Sequence, residues 1–170
     1  MVSELHVRIN LKDFLVTGRF GRVSFGVSRR ELELAFGEPE AYGGVSRKHR
    51  RPTIWKYGDV EFFFPRTGDA GLQMVHIDRF SGADHTPQGW GELQIEPWVI
   101  REAMSLAEFV DAIERAGISY TVCPGFDWNQ KIIAVASGVE IGFVCAPDEV
   151  SDFVGLGWVS RKADIVKPIS

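Results

Sequence analysis

Residues 56–64 read KYGDVEFFF, and residues 136–144 read ASGVEIGFV. Each phrase carries a glycine in a short polar turn, then Val-Glu, then apolar residues leading to a phenylalanine. Tight two-residue turns need positive φ, so Gly58-Asp59 and Ser137-Gly138 predict two hairpins. The alternation that follows puts Val60, Phe62 and Phe64 on one strand face and Val139, Ile141 and Phe143 on the matching one. Glu61 and Glu140 then point to the opposite side.

The likeness extends in both directions. Ahead of the first copy stands GVSRRELELAFGEP, and ahead of the second AMSLAEFVDAIERAG. Each contains Ser-x-x-Glu (Ser28 to Glu31, Ser105 to Glu108), a capping box in which the serine oxygen and the glutamate satisfy backbone N–H groups reciprocally. Two helices are therefore predicted. In the second, Leu106, Phe109, Val110 and Ile113 form one apolar stripe, with Gly117 as a left-handed stop. In the first, Leu32 and Phe36 form a shorter stripe, closed by Gly37 and Pro39. Downstream, GLQMVH (residues 71–76) matches GLGWVS (residues 155–160) in its Gly, Leu and Val positions.

These signals predict an α+β fold of two tandem repeats, each a helix plus antiparallel sheet, with the helices on one side of the sheet. The expected bounds are one domain over residues 1–170, repeats over 10–80 and 99–166, and a Gly/Pro-rich linking segment over 81–98. With 170 residues, 45% of them hydrophobic and 25% charged, the chain is long and apolar enough to bury a core. Its start lacks a basic segment followed by an apolar run, and no stretch approaches the roughly 20 apolar residues of a membrane span. A soluble cytoplasmic protein is the expectation. Cys123 and Cys145 fall on the first and third strands of the second repeat, about two spacings of 4.8 Å apart and too far for a bridge. Free thiols fit a reducing compartment.

Charge is uneven. Residues 1–58 carry 11 Lys+Arg against 6 Asp+Glu, and residues 59–170 carry 8 against 17. The basic excess culminates in Arg47, Lys48, His49, Arg50 and Arg51. Such a run could hold phosphates, but it lacks the interleaved aromatics of nucleic-acid binders and lies between a turn-rich stretch and Pro52. It reads as a solvated electrostatic loop, with no specific nucleic-acid partner expected.

In its first half the chain resembles the repeat unit of the β-lactamase-inhibitor-protein-like fold. The resemblance rests on Gly26 and Ser28 entering the helix, Gly37 and Pro39 leaving it, and Trp55-x-Tyr57 before the apolar strand. The second half has no Pro after Gly117 and no Trp-x-Tyr before Gly138. The resemblance implies a tandem-unit protein whose sheet face receives another macromolecule. In size and acidity the chain also looks like the small immunity proteins with which bacteria neutralise toxins.

Two functional expectations follow. The first is a protein-binding module, an inhibitor or immunity-type protein whose partner is a toxin or enzyme. If the hairpin keeps register as read, Trp55, Tyr57 and Phe63 share a direction with Glu61 and line the open sheet face, with Trp90 exposed in the linking segment. The bland alternative has these aromatics covering one another. The second expectation is a small enzyme using His76, Asp78 and His85, with Asp84 and His49 nearby as acid-base or metal groups. Surface hydrogen bonding explains the same residues without chemistry. No spacing defines a metal or organic cofactor site, so none is expected.

Overall fold

The computed structural model describes residues 7–68, 70–127, 129–144 and 155–164. Strand β1 (Val7–Asn10) leads directly into helix α1 (Leu11–Thr17). Asn10 ends the strand and caps the helix, accepting from the Asp13 N–H at 3.2 Å, and Gly18 closes it at φ 68°. Neither element was expected from the sequence, because one asparagine serves as both strand end and cap in a stretch too short for periodicity. Helix α2 (Arg29–Phe36) then starts at a complete capping box on Ser28 and Glu31.

Strands β2 (Ala41–Gly43), β3 (Ile54–Tyr57), β4 (Val60–Phe63) and β5 (Met74–Asp78) follow. Next come a 3₁₀ turn (Ala83–His85) and strand β6 (Leu93–Glu96), which pairs in parallel with β1. Helix α3 (Leu106–Arg115) starts at the second capping box, on Ser105 and Glu108. It precedes β7 (Tyr120–Pro124), β8 (Gln130–Val135), β9 (Val139–Val144) and β10 (Leu156–Lys162). The fold is α+β. Among the described residues its main sheet has eight strands in the order β2-β3-β4-β5-β10-β9-β8-β7, every neighbour antiparallel.

Register decides what each face carries, because residues directly opposite in an antiparallel pair point the same way. Val60 pairs with Ile77, Ile77 with Val159 and Val159 with Ile141, so these four share one face, and all are fully buried. Phe36 of α2 packs on that face against Tyr57 (centroids 5.8 Å) and Phe62 (5.6 Å). Phe109 of α3 packs on Phe143 at 5.5 Å, on the same side. Phe14 of α1 joins through Phe20, which lies edge-on to Phe62. Burying these aromatics is the main source of stability, at about 25 cal/mol per Å² of apolar surface.

The same register corrects the expected position of two aromatics. Across the Gly58-Asp59 turn Tyr57 pairs with Val60 and Trp55 with Phe62, so both point into the core and not with Glu61. Trp55 is 8% exposed and Tyr57 is 0%. The two-residue turn leaves no extra residue to flip the incoming strand. The Tyr57 hydroxyl donates to the Gly37 carbonyl at 2.8 Å, satisfying the end of α2. Burial raises its pKa far above the ordinary tyrosine value.

Candidate functional site

The face opposite the helices alternates out from the same strands. One cross-strand row runs Lys56, Glu61, His76, Ser160, Glu140. Lys56 and Glu61 form an ion pair at 3.5 Å, and Ser160 donates to the Val75 carbonyl at 3.2 Å. His76, at the centre, is half-buried between the Phe63 ring (6.4 Å) and the Trp158 ring (5.9 Å). Burial pushes its pKa below the ordinary histidine value, outweighing the opposite pull of Asp78 and Glu61.

Trp158 lies against Gly142 of the neighbouring strand, so closely that a side chain there would run into the indole. Glycine is required at that position for close approach. Opposite Trp158 stands Asp78, whose Oδ1 is buried without a hydrogen-bond partner. A second row, Ile54, Phe63, Met74 and Lys162, floors a groove of about 740 Å³ whose lining also includes Arg66, Gln73 and Asp164.

A different device holds the segment at the hairpin turn. Asp59, 3% exposed, accepts from the Ser81 N–H at 2.7 Å, the Ser81 hydroxyl at 2.7 Å and the Gln88 N–H at 2.8 Å. Its own N–H donates to the Gln88 carbonyl at 2.9 Å. Among the described residues every non-glycine position with positive φ lies between 79 and 98: Arg79, Phe80, Asp84, His85 and Trp98. Left-handed backbone at bulky residues is strained and persists only where surroundings over-determine it. Asp59 fixes the chain at Ser81 and Gln88, and bonds among Gly82, His85, Thr86 and Glu102 fix it between and beyond. Trp90, in a turn closed by the Leu93 N–H to its carbonyl at 3.1 Å, is 49% exposed as expected.

Of the residues expected on the open face, Glu61 and Phe63 are there, while Trp55 and Tyr57 are not. The structure adds Met74 and Trp158. Trp158 was not readable from LGWVS, since Leu156 and Val159 both face the core and an irregularity between Leu156 and Trp158 breaks the alternation. Asp59 gave no signal beyond its turn, because its partners lie more than 20 residues downstream.

The residues of the enzymatic expectation divide. His76 and Asp78 share the open face, but His85 sits in the 3₁₀ turn, its Nδ1 3.1 Å from a Glu102 carboxylate oxygen. Among the described residues no three His, Cys, Asp or Glu side chains converge as a metal site. The basic loop is exposed at Arg47, Lys48, Arg50 and Arg51, folded by reciprocal backbone bonds between Ser46 and His49 at 2.9 and 3.1 Å. Arg29 braces its foot, donating to the Pro52 carbonyl at 3.0 Å and stacking over Phe64 at 4.4 Å. Cys123 is a free, half-buried thiol, and Cys145 lies outside the described residues. No helix among the described residues is long and apolar enough to cross a membrane.

Fold and site together define the class: an α+β protein with one sheet face covered by helices and the other open, bearing an aromatic and histidine centre. No family model, curated protein or solved structure matches the chain.

Proposed function

We propose that the protein is a protein-binding module of the inhibitor or immunity type that docks a partner through the open face of the eight-stranded sheet. The observation that carries this is the cluster of Phe63, Met74, His76 and Trp158, half-buried side chains from three adjacent strands with no helix over them among the described residues. Aromatic anchors at the centre of a patch, ringed by polar groups such as the Lys56 and Glu61 pair, are the usual composition of interface hot spots. In this reading α2 with β2 to β5 and α3 with β7 to β10 are two copies of one unit joined through β5 and β10. The likeness to the β-lactamase-inhibitor-protein-like fold belongs to the same proposal, and the exposed basic loop speeds encounter with an acidic partner.

The enzymatic alternative retains only His76 and Asp78, the latter with a buried, unpartnered oxygen. Affinity capture with the wild-type chain and a Phe63→Ser, Trp158→Ala variant separates the two. A stoichiometric partner bound by wild type should be lost at least 30-fold in affinity by the variant, about 2 kcal/mol, while its circular dichroism stays unchanged. Equal affinity for both proteins would remove the open face as the interface.

A further inference from the structure

We propose that the groove over Ile54, Phe63 and Met74 is a binding site for a small amphipathic anion, a carboxylate or sulfonate carried on an aliphatic or aromatic body. This goes beyond the protein-docking reading and does not depend on it. The volume of about 740 Å³ falls within the range of small-molecule sites, roughly 300 to 1,000 Å³.

The floor is apolar and comes from three adjacent strands in register, Ile54 opposite Phe63 and Phe63 opposite Met74. It continues into Lys162, which lies opposite Met74. Arg66, just beyond the end of β4, supplies a second cation to the lining. Neither Arg66 nor Lys162 meets a carboxylate among the described residues. The carboxylate in the lining, Asp164, faces the Arg161 guanidinium at 3.4 Å.

Two cations that meet no carboxylate among the described residues, set beside an apolar floor, select a ligand with both an anionic head and an apolar body. A neutral compound of the same body forgoes the charge, and an inorganic anion forgoes the floor. The placement is also selective within the chain. Residues 59–170 hold 8 Lys+Arg against 17 Asp+Glu, yet two of those eight line this one groove. In an otherwise acidic half, the groove is a local site of positive potential.

The test is fluorescence titration of the full chain with 1-anilinonaphthalene-8-sulfonate and with its uncharged counterpart, N-phenyl-1-naphthylamine, followed by competition with decanoate and decanol. The expected result is saturable one-to-one binding of the sulfonate dye, roughly tenfold tighter than the neutral dye at low salt, and displacement by decanoate in preference to decanol. An Arg66→Gln, Lys162→Gln variant should erase the tenfold preference while retaining the neutral dye. Met74→Glu, which places a negative charge on the floor, should weaken both dyes. Circular dichroism and urea midpoints establish that both variants are folded. Equal affinity of the two dyes for wild type, an unchanged preference in the neutralised variant, or absence of saturation would each overturn the assignment. Failure of the wild-type chain to capture any stoichiometric partner, with dye binding intact, would count against the docking reading alone.

Discussion

Replacing Asp59 by alanine should loosen the segment that follows β5 while sparing the sheet. The carboxylate accepts three hydrogen bonds, two of them from backbone N–H groups of Ser81 and Gln88. Alanine leaves those two donors without an acceptor. An unmade bond at a fully buried donor costs about 1 to 3 kcal/mol, but Ser81 and Gln88 are themselves exposed, so water can enter and partly compensate. The expected cost is about 2 to 4 kcal/mol, below the sum for buried orphans. Asp59→Asn keeps one oxygen but turns an N–H₂ toward a donor, so it should cost about half as much. Amide exchange measures the local effect directly. Protection at Ser81 and Gln88 should fall by about 30-fold or more in Asp59→Ala, since each 1.4 kcal/mol is tenfold, while amides of β9 change far less. The bond from the Asp59 N–H to the Gln88 carbonyl at 2.9 Å persists in the variant, so the stretch should loosen around Ser81 and the Gln88 N–H without detaching from the hairpin turn. Unaltered exchange at Ser81 and Gln88, with a urea midpoint equal to wild type, would refute the claim that Asp59 holds the segment.

Other perturbations report on the open face and the helix starts. His76 has a folded-state pKa below its ordinary value, so as pH falls through about 6.5 the unfolded chain takes up a proton that the folded chain refuses. Stability should drop over that interval and level off below the folded pKa; His76→Gln should lose less between about pH 7.5 and pH 5.5 in urea melts. Gly142→Ala should displace the Trp158 ring, costing about 1 to 3 kcal/mol and shifting tryptophan emission; an unshifted spectrum would contradict the close approach. Ser105→Ala should lower Tm by about 2 to 4 °C at neutral pH by removing a capping box. Glu108 is held below its ordinary pKa first by the Ser105 backbone N–H, which alanine keeps, and next by the Ser105 side chain, which alanine removes. The stabilisation from the latter is present above the unfolded-state value and lost as pH falls through the folded one, so that part of the difference should narrow in acid.

What the sequence made legible was local. The two capping boxes, the turns at Gly58 and Gly138, and the in-out alternation around Glu61 and Glu140 all depend on residues within a few positions of one another. What it hid was pairing. Trp55 and Tyr57 face the core because the two-residue turn at Gly58-Asp59 sets Tyr57 opposite Val60, a consequence carried by the turn and not by the alternation within either strand. The parallel pairing of β1 with β6 joins residues 7–10 to residues 93–96, a contact with no periodic signature. The candidate site suffered most, since His76, Phe63 and Trp158 come together only when β5 and β10 pair at the centre of the sheet.

The recurring Val-Glu acquires its meaning from that central pairing. Glu61 and Glu140 occupy one cross-strand row with His76 and Ser160 between them, three strand spacings or about 14 Å apart. Their surroundings differ. Glu61 is tied to Lys56 and is 20% exposed, whereas Glu140 lies on an exposed position two residues from Gly142. The residue two positions on is Phe63 in the first case and a glycine covered by Trp158 in the second. The aromatic cluster therefore straddles the β5 and β10 junction unevenly, with Phe63, Met74 and His76 on one side and Trp158 on the other. Whatever symmetry the sheet has in its strand order, its open face is not symmetric. A face of that kind presents one centre, not two related by the junction, and a partner seated on it would meet one copy per chain.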